Sequence, residues 1–307
     1  MAGPKGCLKS CALGCAGFVA LLVVGGVVIS ALVWRTVGSD ARRGRHEATE
    51  AAPPPGAVSE PLGVRAQRLT TAHGGRVRLA LGEGEFRLRP AAPGEGLHAH
   101  ADFDTTLYRL DERFAVLPDS TWDYRLECGR SGSRSFLGQL LSGHRGNARV
   151  TVYLPPEVPL DLDLQARRGG CTADLGGLWL RQADLDLMQG GLELEFSSPL
   201  REAMESLVLR SRMGGVEAAR VGNASPRRLD VDCAMGGGDI DLRGAWRGDC
   251  DARAAVRMGG ISLTVPPGMR VEGDRASSPE LSRPAEVPAP VLRLTATQKM
   301  GEVEVRR

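Results

Sequence analysis

A Met-Gly-Gly step recurs along the second half of this chain and constrains its fold more than any other feature. It stands at Met213-Gly214-Gly215, Met235-Gly236-Gly237 and Met258-Gly259-Gly260, in shortened form at Met300-Gly301, and in degenerate form at Arg168-Gly169-Gly170 and Gln189-Gly190-Gly191. From residue 169 to residue 259 the first glycines lie roughly 21 to 24 residues apart, a spacing typical of solenoid repeats. A regular period of this kind predicts stacked coils that share one core.

The residues around the glycine pairs alternate between apolar and charged, as in Leu192-Glu193-Leu194-Glu195-Phe196. Alternation with period two predicts half-buried β-strands. Glycine tolerates positive φ and close backbone approach, so we expect the pairs to form stacked corners of an all-β, single-stranded β-helix-like solenoid. The predicted corner residues are Gly169, Gly170, Gly190, Gly191, Gly214, Gly215, Gly236, Gly237, Gly259, Gly260 and Gly301. A β-sandwich with glycine-rich hairpin turns is the alternative, because its strands also recur every 8 to 12 residues or so.

The N-terminal region predicts membrane attachment. Residues 12–34 carry no charge over 23 positions, which is enough to span a bilayer as one helix. We expect this helix to remain uncleaved because no small-residue cleavage site follows it, although a cleaved secretory signal is the competing interpretation. A short basic tail (1–11) precedes it and a Pro/Ala-rich flexible stalk (35–73) follows. Basic residues flank both sides of the helix, so the orientation, with the C-terminal domain outside the cytoplasm, rests on the exported β-domain that we expect to follow.

The segment before the repeats carries a family resemblance. Gly75 to Pro90 reads as a strand, a Gly-x-Gly turn at Gly82-Glu83-Gly84 and a second strand, followed by Leu97-His98-Ala99-His100-Ala101-Asp102-Phe103-Asp104. Together with the repeats, this order resembles the toast-rack proteins, which include the LiaF-like cell wall-active antibiotics response proteins and the putative adhesin domains of bacteria. The resemblance implies an opening β segment (74–148), solenoid repeats (149–307) and a role at the cell envelope in stress signalling or surface contact. It implies no catalytic residues. LiaF-like proteins usually have several membrane helices, whereas this sequence predicts one.

Several residue groups are candidates for chemistry. Four Asp-x-Asp pairs place two carboxylates on one strand face about 7 Å apart: Asp161/Asp163, Asp184/Asp186, Asp230/Asp232 and Asp239/Asp241. Stacked pairs of this kind could bind calcium or serve a polysaccharide-cleaving enzyme. Because the pairs recur in several coils and arginines lie nearby, we interpret them as a solvated face.

His98, His100 and Asp102 alternate on one strand and are weak candidates for a metal site, though surface polar positions explain them equally well. We predict no metal and no small-molecule cofactor. Cys7, Cys11 and Cys15 line one face at the start of the predicted membrane helix. For Cys128, Cys171, Cys233 and Cys250 the sequence leaves disulfide pairing open.

Composition narrows the function. The 39 basic and 37 acidic residues are interleaved and sum to a net charge of +2, which argues against nucleic-acid binding, and the 4% aromatic content argues against an aromatic sugar platform. We therefore expect a non-enzymatic, membrane-anchored envelope protein that binds a protein or an envelope polymer. A self-assembling structural element is the first alternative, and a β-helix polysaccharide lyase or hydrolase is the second.

Overall fold

Seven long strands of 14 to 16 residues dominate the computed structural model, which describes residues 74–103, 107–130, 148–273 and 289–307. The strands in chain order are β1 (Gly75–Pro90), β2 (His98–Asp102), β3 (Tyr108–Val116), β4 (Trp122–Arg130), β5 (Ala148–Leu154), β6 (Leu160–Asp174), β7 (Leu180–Glu195), β8 (Ser206–Ala219), β9 (Arg228–Asp241), β10 (Cys250–Thr264), β11 (Arg270–Glu272) and β12 (Val291–Arg306). One short 3-10 helix, Val221–Asn223, follows β8.

All twelve strands form one sheet, and most of them pair in parallel. The long strands stand in the order β12, β10, β9, β8, β7, β6 and β1, each beside the next in parallel register. Parallel neighbours are the pattern of stacked solenoid coils, whereas a sandwich of hairpins would place these long strands antiparallel. The all-β, solenoid-like prediction is therefore confirmed at the level of a large, mostly parallel sheet.

Each long strand bends around the core at its corner glycine, which five of the seven strands follow with a second glycine. In β7 the alternation of buried and exposed residues changes phase there, so that Leu187 and Leu192 are both buried. Apolar rows run across the coils on the inside of the bend; one such row is Leu79, Leu164, Leu185, Leu209, Val231 and Ala254. One coil could not bury its apolar face alone, so this shared core provides the stability of the array.

The segments that return the chain from one coil to the next also stack on one another. Leu175 N–H donates to the Glu195 carbonyl, Phe196 N–H to the Ala219 carbonyl, and Leu242 N–H to the Thr264 carbonyl. The buried residues Leu200, Met204 and Val221 lie in these segments and close the core on the side away from the sheet corner.

The two ends of the coil stack are built differently. On the outer edge of β1, β4 pairs with its first half and β5 with its second half, so these two strands replace one long strand. β3 and β2 then add antiparallel to β4 and β5, and Trp122 and Tyr124 are buried at this end. At the other end, β12 pairs with β10 along its length and with β11 only through Val291–Arg293.

The predicted transmembrane helix (12–34), the tail before it and the stalk after it lie outside the described residues. Within the described ranges, the structure contains no helix that is long and apolar enough to span a bilayer. The described residues all fall in one of two contact units of the chain, Glu60–Ser133 with Arg145–Arg307.

Candidate functional site

The first glycine of each pair forms the corner. Gly169, Gly190, Gly214, Gly236 and Gly259 have φ between +124° and +144°. A Cβ atom built on any of them would lie 1.6 to 1.9 Å from the carbonyl oxygen of the corner glycine in the preceding coil. Every non-glycine side chain is therefore excluded, by backbone conformation and by the close approach of the neighbouring coil. At Gly301 the corresponding distance, to the Gly259 oxygen, is 2.4 Å.

The second glycine of each pair has a different environment. Gly170, Gly191, Gly215, Gly237 and Gly260 do not have positive φ. A Cβ would meet no atom within 4 Å at Gly170 or Gly191, and the nearest atom would be 3.9 Å away at Gly215. Gly237, at 3.1 Å from the Gly260 oxygen, is the tightest of these positions. Steric requirements thus explain the first glycine of each pair and bear on Gly237, but they leave the second glycine unexplained at the other four positions.

The second glycines form the floor of a surface groove. Gly191, Gly215, Gly237 and Gly260 lie side by side in register on adjacent strands and line an open cavity of about 660 Å³. Neighbouring strands are about 4.8 Å apart, so four coils give the floor a length of about 15 Å. Any side chain at these positions would project into the groove, which gives the second glycine a role in shaping a surface.

A row of carboxylates forms one wall of this groove. Glu193, Glu217 and Asp239 are in register on β7, β8 and β9, and the row continues through Ser262 to Glu304. At this last position Arg306, which also lines the groove, forms an ion pair with Glu304. The pKa of Arg306 is raised by its hydrogen bond and charge interaction with Glu304, and the charge of Asp239 adds to that effect. In the described part of the chain, no ion pair is formed by Glu193, Glu217 or Asp239, although Thr172 Oγ1 donates a hydrogen bond of 3.4 Å to Glu193. Unpaired like charges about 4.8 Å apart repel each other, and a cationic group bound between them would relieve that repulsion.

Methionines line the strands immediately before the corner. Met213, Met235, Met258 and Met300 are in register on β8, β9, β10 and β12. Their exposed fractions are 40%, 44%, 43% and 70%, so their side chains are not part of the core. The corner therefore presents an apolar row, and a groove with an acidic wall follows it on the second half of each coil.

The Asp-x-Asp pairs do not come together as one site. Asp161/Asp163, Asp184/Asp186 and Asp230/Asp232 lie before the corner, and Asp239/Asp241 lies after it. Arginines neutralise several of these residues: Arg181 bonds Asp161 at 2.9 Å, Arg210 bonds Asp184 at 2.6 Å, and Arg243 bonds Asp241 at 2.8 Å.

Arg210 shows how far this neutralisation extends. Its hydrogen bond with Asp184 raises the pKa of Arg210, and the charges of Asp186 and Asp230 add to that effect. The surface before the corner is therefore of mixed charge, in contrast with the acidic wall after it.

The histidine candidates lie at the opposite end of the coil stack. His98, His100 and Asp102 alternate along β2, where they face Tyr153, Thr151 and Arg149 of β5. The His98 ring stacks on Tyr153 with centroids 4.5 Å apart, and its Nδ1 lies 2.9 Å from the Gly96 carbonyl oxygen. Among the described residues, no three His, Cys, Asp or Glu side chains are grouped so that they could hold a metal ion.

The cysteines of the β-domain are buried thiols. Cys128, Cys171, Cys233 and Cys250 are all free and buried, and no disulfide joins them. Burial raises the pKa of Cys171 and Cys250 to about 12 and that of Cys233 to about 11, with a smaller contribution from Asp232 in the last case. A thiol with such a pKa is almost fully protonated at neutral pH and is a poor nucleophile or metal ligand. Cys7, Cys11 and Cys15 lie outside the described residues.

Sequence reasoning missed one corner and the acidic wall. Gly84 has φ +152°, and a Cβ there would lie 2.2 Å from the Ala148 oxygen, so β1 is itself a coil with a corner. Glu85 follows it in place of a second glycine, which hid the repeat. The acidic wall could have been predicted from the sequence, because Glu193, Glu217 and Asp239 each stand three residues after a corner glycine.

Comparison with known proteins identifies no family. No protein-family model matches the sequence, and no curated protein matches it. One similar solved structure is a putative cell adhesion protein from Clostridium sporogenes, with 12% sequence identity and a TM-score of 0.35. The match covers 78% of this chain and 94% of that one.

Proposed function

We propose that this chain is a single-pass, membrane-anchored envelope protein without catalytic activity, whose β-solenoid lies outside the cytoplasm and binds another molecule. The groove with the glycine floor and the acidic wall is the binding surface. The observation that carries this proposal is the second glycine of the pair, which recurs at Gly191, Gly215 and Gly260 without a steric need and keeps the floor open beside three carboxylates that form no ion pair in the described structure.

The chemistry of the groove favours a cationic partner. Glu193, Glu217 and Asp239 offer acceptors in a line, and the floor between the coils presents backbone without side chains. An extended segment of a protein or envelope polymer that carries several positive groups can lie across the coils and place one group near each carboxylate. Affinity of this kind depends on salt, because exposed charges are screened at high ionic strength.

Binding of a short oligolysine peptide to the full-length protein tests this assignment. We expect binding that weakens with rising salt and that falls at least about tenfold when Glu193→Gln, Glu217→Gln and Asp239→Asn are combined. The matched control combines Asp163→Asn, Asp230→Asn and Asp232→Asn, which removes the same number of charges before the corner. Equal loss in both triple variants would show that only net charge matters and would refute the groove as the site.

The absence of catalysis is part of the proposal. Catalysis needs one site with perturbed groups, whereas the shifted carboxyl and guanidinium pKa values in the described residues belong to groups in surface ion pairs, such as Asp111 with Arg113. We expect no hydrolysis or elimination with cell-wall and acidic polysaccharides, with or without calcium. Turnover that disappears in a folded Asp161→Asn/Asp163→Asn variant would instead support the polysaccharide lyase or hydrolase.

Self-assembly is a second candidate, because one sheet edge is open. From Leu294 to Arg306, β12 has no strand partner on its outer side among the described residues. Unpaired edges can join copies end to end, but Lys299, Glu302, Glu304 and Arg306 place charges along this one and oppose such pairing. Sedimentation of the full-length protein over a range of concentrations distinguishes the two: a monomer supports the binding function alone, and growing oligomers support assembly.

A further inference from the structure

The methionines of this protein are distributed in an unusual way. Of the described methionines, only Met204 and Met269 are buried, whereas five are exposed. Four of the exposed ones occupy the same position in β8, β9, β10 and β12, directly before the corner glycine. Side chains that are 40% to 70% exposed contribute less to packing than core residues do, so core packing alone does not account for methionine at one position in four neighbouring coils.

The sheet brings these thioethers together. Met213, Met235 and Met258 are direct neighbours in parallel register, so their Cα atoms are about 4.8 Å apart. The glycines that follow each methionine have no side chain to cover it. Because methionine has three rotatable side-chain bonds, three sulfur atoms on adjacent strands can turn toward one point without any movement of the backbone.

We propose that Met213, Met235 and Met258 form a binding site for a soft monovalent metal ion, Cu(I) or Ag(I), with Met300 as a neighbouring fourth thioether. Neutral thioether sulfur is a soft ligand that selects such ions over Ca²⁺, Mg²⁺ and Zn²⁺, which prefer oxygen or nitrogen donors or thiolate. The site is separate from the proposed groove: it uses the row before the corner, and it binds a metal ion instead of a cationic polymer.

Thioether ligands predict a distinctive pH dependence. Thiolate and imidazole ligands must lose a proton before they bind a metal, so their affinity falls in acid. A thioether has no proton to lose, and a three-methionine site therefore keeps its affinity at pH 5. This property separates the proposed site from the cysteines of the chain, which would compete for the same ions near neutral pH.

The test uses the full-length protein with its accessible thiols blocked by iodoacetamide and its methionine methyl groups labelled with carbon-13. Ag(I) is added at pH 5, and methyl signals are assigned by single Met→Leu variants, which keep an apolar side chain of similar size and remove the sulfur. We expect the signals of Met213, Met235 and Met258 to shift, and those of Met188, Met204 and Met269 to stay unchanged.

Affinity provides the second measurement. With Cu(I) and a chromophoric competing chelator, Met235→Leu should weaken binding at least about tenfold, since loss of a direct ligand costs no less than loss of an outer-shell partner. The matched control is Met188→Leu, which removes an equally exposed thioether outside the row. Similar shifts at Met188 and Met235, unchanged affinity in Met235→Leu, or no binding of either ion would each overturn the proposal. Because no carboxylate is altered, the outcome does not depend on the groove.

Discussion

The two glycines of one pair should differ sharply in their response to the same substitution. Gly214 has φ +144°, and an added Cβ would lie 1.7 Å from the Gly190 carbonyl oxygen, whereas an added Cβ on Gly215 would have its nearest neighbour 3.9 Å away. Gly214→Ala and Gly215→Ala therefore make the same chemical change at adjacent positions of one strand. Their comparison isolates the corner from general effects of replacing glycine.

The cost at Gly214 follows from the geometry. Contacts below 3.0 Å are not tolerated by real Cβ atoms, so β7 and β8 must separate locally by more than 1 Å or so. Backbone hydrogen bonds near 2.9 Å do not survive that displacement, and each contributes about 1 kcal/mol. Forcing alanine into a backbone region that favours glycine costs about 1 to 3 kcal/mol more. With two or so hydrogen bonds lost, we expect Gly214→Ala to lower the free energy of unfolding by about 3 to 5 kcal/mol.

Gly215→Ala should lower the free energy of unfolding by no more than about 0.5 kcal/mol and could raise it by up to about 1 kcal/mol. A gain is possible because alanine restricts the unfolded chain more than glycine does. Urea unfolding followed by tryptophan fluorescence measures both variants against the parent protein. Equal stabilities of the two variants would refute the assignment of the first glycine as the corner. A large loss in Gly215→Ala would show that the second glycine is also structural and would weaken the argument for an open groove floor.

Three further outcomes are expected. Burial raises the pKa of Cys171 and Cys250 to about 12 in the folded protein, from an ordinary value of 9.0. The unfolded protein therefore loses these thiol protons at a lower pH than the folded protein does. The free energy of unfolding is unaffected below about pH 9 and falls between about pH 9 and pH 12, by about 1.4 kcal/mol per pH unit for each thiol. Urea unfolding at several pH values should show this decline, and a Cys171→Ala/Cys250→Ala variant with an equally steep decline would contradict it. Ser211 is 2% exposed and its hydroxyl has no hydrogen-bond partner in the described structure, so Ser211→Ala should raise the free energy of unfolding by about 1 kcal/mol; a loss of stability would reveal a partner for that hydroxyl. Mass spectrometry of the membrane-extracted protein should find residues 12–34 retained, whereas a mature N-terminus near residue 35 would show that the segment is a cleaved signal.

The strands and their stacking were predictable because both depend on local patterns. Alternation with period two identifies a half-buried strand, and a fixed distance between glycine pairs identifies a coil. The corner at Gly84 was harder to find, since β2 to β5 separate it from the next corner, Gly169, and Glu85 replaces the second glycine. An insertion of that size removes the period, and only strand pairing in three dimensions restores the relation between the two coils.

The charged surface was less predictable because it depends on register. The Asp-x-Asp pairs attract notice in the sequence, but Arg181 and Arg210 reach carboxylates in neighbouring coils and neutralise them. Glu193 and Glu217 look like ordinary outward residues of an alternating strand, and their alignment becomes evident only when positions are counted from the corner glycine. Spacing between coils varies with the length of the return segments, so a sequence period alone does not show which side chains are neighbours.

The repeated residues of each coil can be separated by what the fold requires of them. The first glycine cannot be replaced because the neighbouring coil occupies the space of any side chain. The second glycine at Gly191 has open space beside it, and Met235 is 44% exposed and lies outside the core, so the corner does not require either residue. A scaffold needs repetition only at positions that pack or bend. Repetition at positions that do neither indicates that the surface they form has a function. In this protein such repetition occurs on both sides of the same corner, with a row of exposed methionines before it and an open floor with an acidic wall after it.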